Sequence, residues 1–263
     1  MTALEALILG VIQGLTEFLP VSSSGHLELG SVILGTQSED NLLFTVVVHG
    51  ATALSTVVVF RKEIMDIFQG LFTMTWNEPK SYVLKIIISM IPVGIVGVFF
   101  EEKIESLFGG NILLVGCMLI ITSVLLAFTY FKKGEGGEIT HAKSFVVGLA
   151  QAFAVLPGVS RSGSTISTAL ILNVDKSKAT QFSFLMVLPP ILGATLLKVK
   201  DYAEAPAQHD GISNLALLFG FAAAFIAGVL ACSWMVKIVR KGKLIYFAAY
   251  CLIVGIVAVS VGI

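Results

Sequence analysis

Two short polar loops, the second a near copy of the first, interrupt a chain otherwise built of apolar blocks. No other feature constrains the fold as much. Pro20-Val21-Ser22-Ser23-Ser24-Gly25-His26 returns as Gly158-Val159-Ser160-Arg161-Ser162-Gly163-Ser164. Val21 matches Val159, Ser22 matches Ser160, Ser24 matches Ser162 and Gly25 matches Gly163, at a constant offset of 138 residues. The same offset pairs Gly10 with Gly148, Gln13 with Gln151 and Phe44 with Phe182. Hydroxyls, an imidazole and a guanidinium inside apolar sequence are costly unless they are used. The repetition therefore predicts two related halves that bring these groups to one place.

The surrounding sequence sets the solvent. Hydrophobic residues make up 56% of the chain and charged residues 13%, with a mean hydropathy of +0.92. Soluble domains carry nearer 25% charge. Six blocks are long enough to cross a hydrocarbon core, which takes about 20 residues of helix. They are Leu42–Phe60, Val83–Phe100, Ile112–Phe131, Gln181–Leu197, Leu215–Val236 and Leu244–Gly262. Seventeen basic residues balance seventeen acidic ones, which speaks against a nucleic-acid partner. Cys117, Cys232 and Cys251 lie in apolar blocks without metal-ligand spacing and read as buried free thiols. The N-terminus lacks the basic region of a signal peptide, and Glu5 and Glu17 punctuate its apolar run.

Two regions do not fit the pattern of spans. Ala3–Leu19 ends at Pro20, and Gly25–Leu34 resumes for barely three turns; Lys143–Leu156 and Gly163–Asn173 repeat that shape. Each pair is too short to cross twice and reads as a re-entrant helical hairpin. Irregular backbone at membrane depth is tolerated where protein buries it or water wets it. Three spans separate the hairpins, so the second enters from the opposite side. The fold class is thus all-α: a single membrane domain over residues 1–263, with six transmembrane helices and two re-entrant hairpins. It forms an inverted repeat, with halves at about 1–131 and 143–263. Such repeats place sites near the midplane, between broken helices. Thirteen Lys and Arg fall in loops on the side away from the N-terminus, Lys132 and Lys133 among them, against three on the other side. The positive-inside rule then puts both termini and the mouth of the first hairpin outside.

Several side chains in the loops can carry chemistry. Gln13 and Glu17 are four apart and share a helix face, and an intramembrane carboxylate is a functional candidate and a cation ligand. Ser22, Ser23 and Ser24 precede a short helix, where one serine serves as N-cap and free N–H groups with hydroxyls attract an anion. His26, in the first turn, can move a proton near neutral pH. Arg161 is the one arginine away from a basic loop, and its planar fork suits phosphate. Ser160, Ser162, Ser164 and Thr165 surround it. Arg161 neutralising Glu17 is compatible with a pyrophosphate between them and a divalent cation bridging to the carboxylate. His49 and Gln181 are secondary candidates. Asp175, Lys176 and Lys178 read as a solvated loop, His141 and His209 as surface groups, and Pro92 and Pro189-Pro190 as kinks.

The segment from Gln13 through Glu17 to His26 resembles the (Glu/Gln)xxxGlu motif and following Ser/His loop of bacterial undecaprenyl pyrophosphate phosphatases, the bacitracin-resistance family. Leu156-Pro-Gly-Val-Ser-Arg-Ser-Gly-Ser-Thr165 resembles that family's PGxSRSxxT motif. The resemblance runs over essentially the whole chain, including Phe182-Ser-Phe-Leu. It implies hydrolysis of the C55 carrier pyrophosphate to monophosphate and inorganic phosphate, recycling the carrier for peptidoglycan and conferring bacitracin resistance. It implies dependence on a divalent cation, Mg²⁺ or Ca²⁺, and a place in the bacterial cytoplasmic membrane. The polyprenyl pyrophosphate and membrane lipids are the implied partners, with a homodimer left open. Carried onto this chain, Glu17, Ser23, His26 and Arg161 are the catalytic positions, with Gln13, Ser160, Ser162 and Thr165 around the phosphates. Gln13 is the uncharged variant of its motif, and Gln181 stands where a Glu is common. Nucleophilic attack by Ser23, by His26 or by water all remain open. A lipid-phosphate transporter on the same scaffold is the alternative function. A PAP2-type phosphatase lacks its second His and acid here, and a purely structural scaffold leaves Glu17, His26 and Arg161 without a use.

Overall fold

A computed structural model describes residues 1–36, 41–107, 111–131, 136–204 and 212–262. Lys132, Lys133 and His209, whose loop placements were read from sequence, lie outside these residues. Among the described residues the chain is helical throughout, in twelve α-helices and one 3₁₀ turn. The first half contains α1 (Ala3–Phe18), α2 (Ser23–Leu34), α3 (Asn41–Val59), α4 (Arg61–Leu71), α5 (Glu78–Glu105) and α6 (Ile112–Phe128). The second half contains α7 (His141–Phe153), α8 (Arg161–Ile171), α9 (Lys176–Met186), α10 (Leu188–Glu204), α11 (Asn214–Arg240) and α12 (Ile245–Gly262). α1 and α7 begin 138 residues apart, as do α2 and α8.

Five segments are long and apolar enough to cross a membrane: Glu78–Phe100, Ile112–Phe131, Lys176–Leu197, Asn214–Val239 and Ile245–Gly262. α3 joins them when taken together with α4, from which it is bent by 77°. The chain is therefore a multi-pass membrane protein. Large apolar side chains such as Val98, Phe99, Phe128 and Leu196 face outward, where acyl chains replace water as the contact. α1, α2, α7 and α8 run 16, 12, 13 and 11 residues, each short of a full crossing.

Three details differ from the sequence reading. Arg61 and Lys62 open an amphipathic helix, α4, rather than a loop. Asp175, Lys176 and Lys178 are not a solvated loop. Asp175 caps α9 by accepting from the Ser177 and Lys178 amides, so the fourth span starts five residues before Gln181. Cys117 is exposed, while Cys232 and Cys251 are buried as expected. Pro92 lies inside α5, and Pro189 and Pro190 follow the break at Val187, where a ring without an N–H cannot continue the ladder from α9.

Close helix contacts fix the two hairpins. A capping box between Thr2 and Glu5 starts α1, which packs along α11. A Cβ added at Gly10 would lie 2.4 Å from the Gly220 carbonyl oxygen, and one at Gly14 2.6 Å from that of Ala224. Small residues here let two backbones touch, the usual glue of helices in lipid. α7 packs along α5 in the same way, Gly148 against Ser89. Hydroxyls add cross-links: Ser55 donates to the Phe225 carbonyl at 2.9 Å and Ser123 to that of Ala248 at 2.7 Å.

Candidate active site

The tips of the two hairpins meet. A Cβ on Gly25 would lie 3.1 Å from the Cα of Gly158, so a side chain there would crowd this contact. Gly158 has φ +91, a conformation other residues adopt only with strain. Ser162 Oγ donates to the Leu19 carbonyl at 3.1 Å and ties one loop to the other. Ser22 and Ser160 cap α2 and α8, accepting from the Gly25 and Gly163 amides at 3.2 and 3.0 Å. Both helices thus start at the same junction, Ser23 opening one and Arg161 the other. Their free N–H groups make the junction electropositive.

Glu17, buried at the end of α1, is its centre. Its Oε2 accepts from Ser23 Oγ at 2.6 Å and from Gln13 Nε2 at 2.8 Å. Its Oε1 accepts from Arg161 Nη2. His49 Nε2 stands 3.6 Å from Oε2, while its Nδ1 is 2.8 Å from the Thr45 carbonyl oxygen. The structure therefore brings Gln13, Glu17, Ser23 and Arg161 together and adds His49 as a direct neighbour. Arg161 Nη1 and Gln13 Oε1 are buried without a hydrogen-bond partner. A guanidinium and an amide oxygen left so are costly in a closed site and suited to a ligand.

The remaining candidates stand around this centre. His26 lies outside it: Nδ1 is 2.8 Å from the Ser22 carbonyl oxygen and Nε2 is 2.8 Å from Tyr250 Oη. Ser24 Oγ is 3.4 Å from Ser22 Oγ, and Ser160 Oγ is 3.4 Å from Ser162 Oγ. Thr165 Oγ1 donates to the Arg161 carbonyl at 2.9 Å and meets Ser183 Oγ at 2.5 Å, bracing the first turn of α8. Gln181 lies partly buried on α9 and makes no hydrogen bond to Glu17, Ser23 or Arg161. Sequence reasoning missed three residues. Tyr250 holds His26, Thr122 accepts from the Ser160 amide at 3.0 Å, and Ser183 meets Thr165. An isolated hydroxyl in an apolar block carries no signal of what faces it.

A narrow crevice lies beside the ion pair. Glu17, Arg161, Thr52 and Thr56 line its polar end, and Phe18, Phe184, Val187 and Ile191 its apolar end. Val187, at the break between α9 and α10, and Ile191 contribute to this wall. Such a cleft matches an amphiphile with an anionic head.

For a divalent cation, the donors at hand are the Glu17 carboxylate and the unpartnered Gln13 Oε1. Among the described residues no three His, Cys, Asp or Glu gather as a ready ligand set. One carboxylate and an amide oxygen suit a hard cation that also binds substrate phosphate oxygens.

Over residues 6–257 the chain matches the protein family described as Bacitracin resistance protein BacA. It is 57% identical over 258 residues to a Bacteroides fragilis protein named undecaprenyl-diphosphatase, covering 98% of this chain and 97% of that one. Proteins of the same name from Parabacteroides distasonis and Salinibacter ruber are 56% and 40% identical. The first alignment covers 99% of this chain and 98% of its relative, the second 97% of each.

Proposed function

Because the chain belongs to the bacitracin resistance protein BacA family, we propose that it is an undecaprenyl-diphosphatase. It hydrolyses the C55 carrier pyrophosphate to the monophosphate and inorganic phosphate, which returns the carrier to peptidoglycan synthesis. One observation carries this reading at the level of chemistry. Two helix N-termini deliver Ser23 and Arg161 to a single buried carboxylate, with a free guanidinium nitrogen beside them. The transport alternative has no comparable support, since the relatives named above carry the name of a hydrolase.

The chemistry follows from the contacts. The pyrophosphate enters the polar end of the cleft and the first isoprene units follow the wall of Phe184, Val187 and Ile191. Arg161 Nη1 and the amides opening α2 and α8 bind phosphate oxygens and stabilise charge that develops on them. Ser23 Oγ attacks the terminal phosphorus, the lipid monophosphate leaves, and the hydroxyl proton passes to Glu17, to which Ser23 already donates. A loose phosphoryl-transfer transition state asks little of such a base. His26, one turn beyond Ser23 on α2, takes the proton of the water that releases inorganic phosphate. Glu17 and Gln13 would hold a divalent cation, which supplies charge neutralisation on the bound pyrophosphate.

Two related halves, residues 1–131 and 143–263 in inverted arrangement, account for the matched loops. The basic loops favour placement in the bacterial cytoplasmic membrane with both termini and the site's mouth outside. Phosphate release from a polyprenyl pyrophosphate by detergent-purified protein, with Mg²⁺ or Ca²⁺ and with EDTA, tests the function. Metal-dependent release that collapses in Glu17→Ala is expected. No release from folded wild-type protein overturns it.

A further inference from the structure

Tyr250 reaches His26 from the far end of the chain. His26 Nδ1 lies 2.8 Å from the Ser22 carbonyl oxygen, which only accepts, so Nδ1 carries the hydrogen. In the neutral ring Nε2 is then a bare acceptor, and Tyr250 Oη, 2.8 Å away, donates to it. The two rings also lie nearly parallel, at 14° with centroids 5.6 Å apart. Tautomer and ring plane are thus fixed from two sides.

The surroundings hold this pair against the loop. Ser22, whose carbonyl sets the tautomer, has φ 71 and ψ 96, a conformation rare outside glycine. Cys251, next to Tyr250, places Sγ 3.5 Å from the Pro20 carbonyl oxygen, and Ser123 of α6 binds the Ala248 carbonyl. α12 is therefore anchored to the same loop that carries Ser22 and Ser23. α6 and α12 contain no Asp, Glu, His, Lys or Arg. The other titratable groups on the elements near His26 are Cys117, Tyr246 and Cys251 on those helices, Glu5 and Glu17 on α1 and Glu28 on α2. Tyr250 itself is 44% exposed, so its hydroxyl can swing away without unpacking α12.

We propose that Tyr250 is a positioning residue for proton transfer at His26. It holds the tautomer whose Nε2 accepts a proton, stacks the ring in place before substrate arrives, and gives up Nε2 to the water of the hydrolytic step. This rests on the phosphatase reading above.

Tyr250→Phe keeps the stacked ring and removes the donor. A donor to the lone pair favours the neutral imidazole, so its loss favours the protonated ring. The acid limb of kcat, which contains the hydrolytic step, then moves to higher pH by about half a unit to one unit. At neutral pH kcat falls about three- to tenfold while kcat/KM stays within about twofold, because His26 acts after the lipid monophosphate has left. Tyr250→Ala, which also loses the ring, falls further. In a His26→Ala background Tyr250→Phe changes nothing more, because it acts through His26. An unmoved acid limb with unchanged kcat overturns the proposal, as does the same loss in both backgrounds. The profiles are read in detergent and in native membranes, so poor detergent behaviour of one variant does not hide the result. Wild-type protein without metal-dependent phosphate release would instead remove the phosphatase reading, leaving the Tyr250–His26 contact unexplained.

Discussion

Ser23 and Arg161 occupy the same position of two repeated loops, and both close on the carboxylate of Glu17. Each is the first residue of a short helix whose preceding serine caps it. At this shared position one loop supplies a hydroxyl and the other a cation. Because both side chains meet one carboxylate, the site exists only when the two hairpin tips touch.

Arg161→Ala is expected to reduce kcat/KM by at least about 100-fold, the scale of removing one preorganised charge donor. It also leaves Glu17 buried without its cation, a loss of about 3–5 kcal/mol. Arg161→Lys restores charge but not the planar fork, and should recover little activity. Phosphate-release kinetics beside thermal unfolding in detergent check both effects.

Ser23→Ala separates chemistry from stability. Removing the proposed nucleophile should abolish turnover while the unfolding temperature moves little, since Glu17 keeps Gln13 and Arg161 as partners. Turnover close to wild type would assign attack to water or to His26. The same kinetics decide it.

His49 should matter less than Arg161. It approaches Glu17 only to 3.6 Å and its side chain is 24% exposed. His49→Gln is expected to change kcat/KM by about tenfold or less, in keeping with a solvent-screened pair.

Metal removal should act through the substrate complex. With a single carboxylate at the centre, free protein should bind Mg²⁺ or Ca²⁺ weakly, and a pyrophosphate ligand should strengthen binding. Equilibrium dialysis with and without inorganic pyrophosphate measures this, and EDTA should stop phosphate release.

Gly158→Ala tests how the second tip is seated against α6. Its φ of +91 disfavours a side chain, and an added Cβ would stand 2.6 Å from the Val115 carbonyl oxygen. A loss of about 1–3 kcal/mol is expected, with activity falling alongside. Unchanged activity in a destabilised protein would mean that catalysis does not need the second tip seated tightly against α6.

The sequence by itself determined the solvent and the chemistry. Apolar blocks of span length admit only helices across lipid. Glu17, Ser23 and Arg161 stand out because charge and hydroxyls are expensive there. The matched offset announced that two distant loops belong together. Other features were decided only by tertiary structure. α4 was not legible because a single-residue bend at Phe60 leaves no composition signal, and Asp175 became a helix cap rather than loop because two amides turned toward it. His49, read only as a secondary candidate, reached Glu17 because α3 packs beside α1, while His26 turned instead to Tyr250 on α12. Local pattern records what a residue costs in its own segment; its partner is chosen by packing between segments up to 231 residues apart.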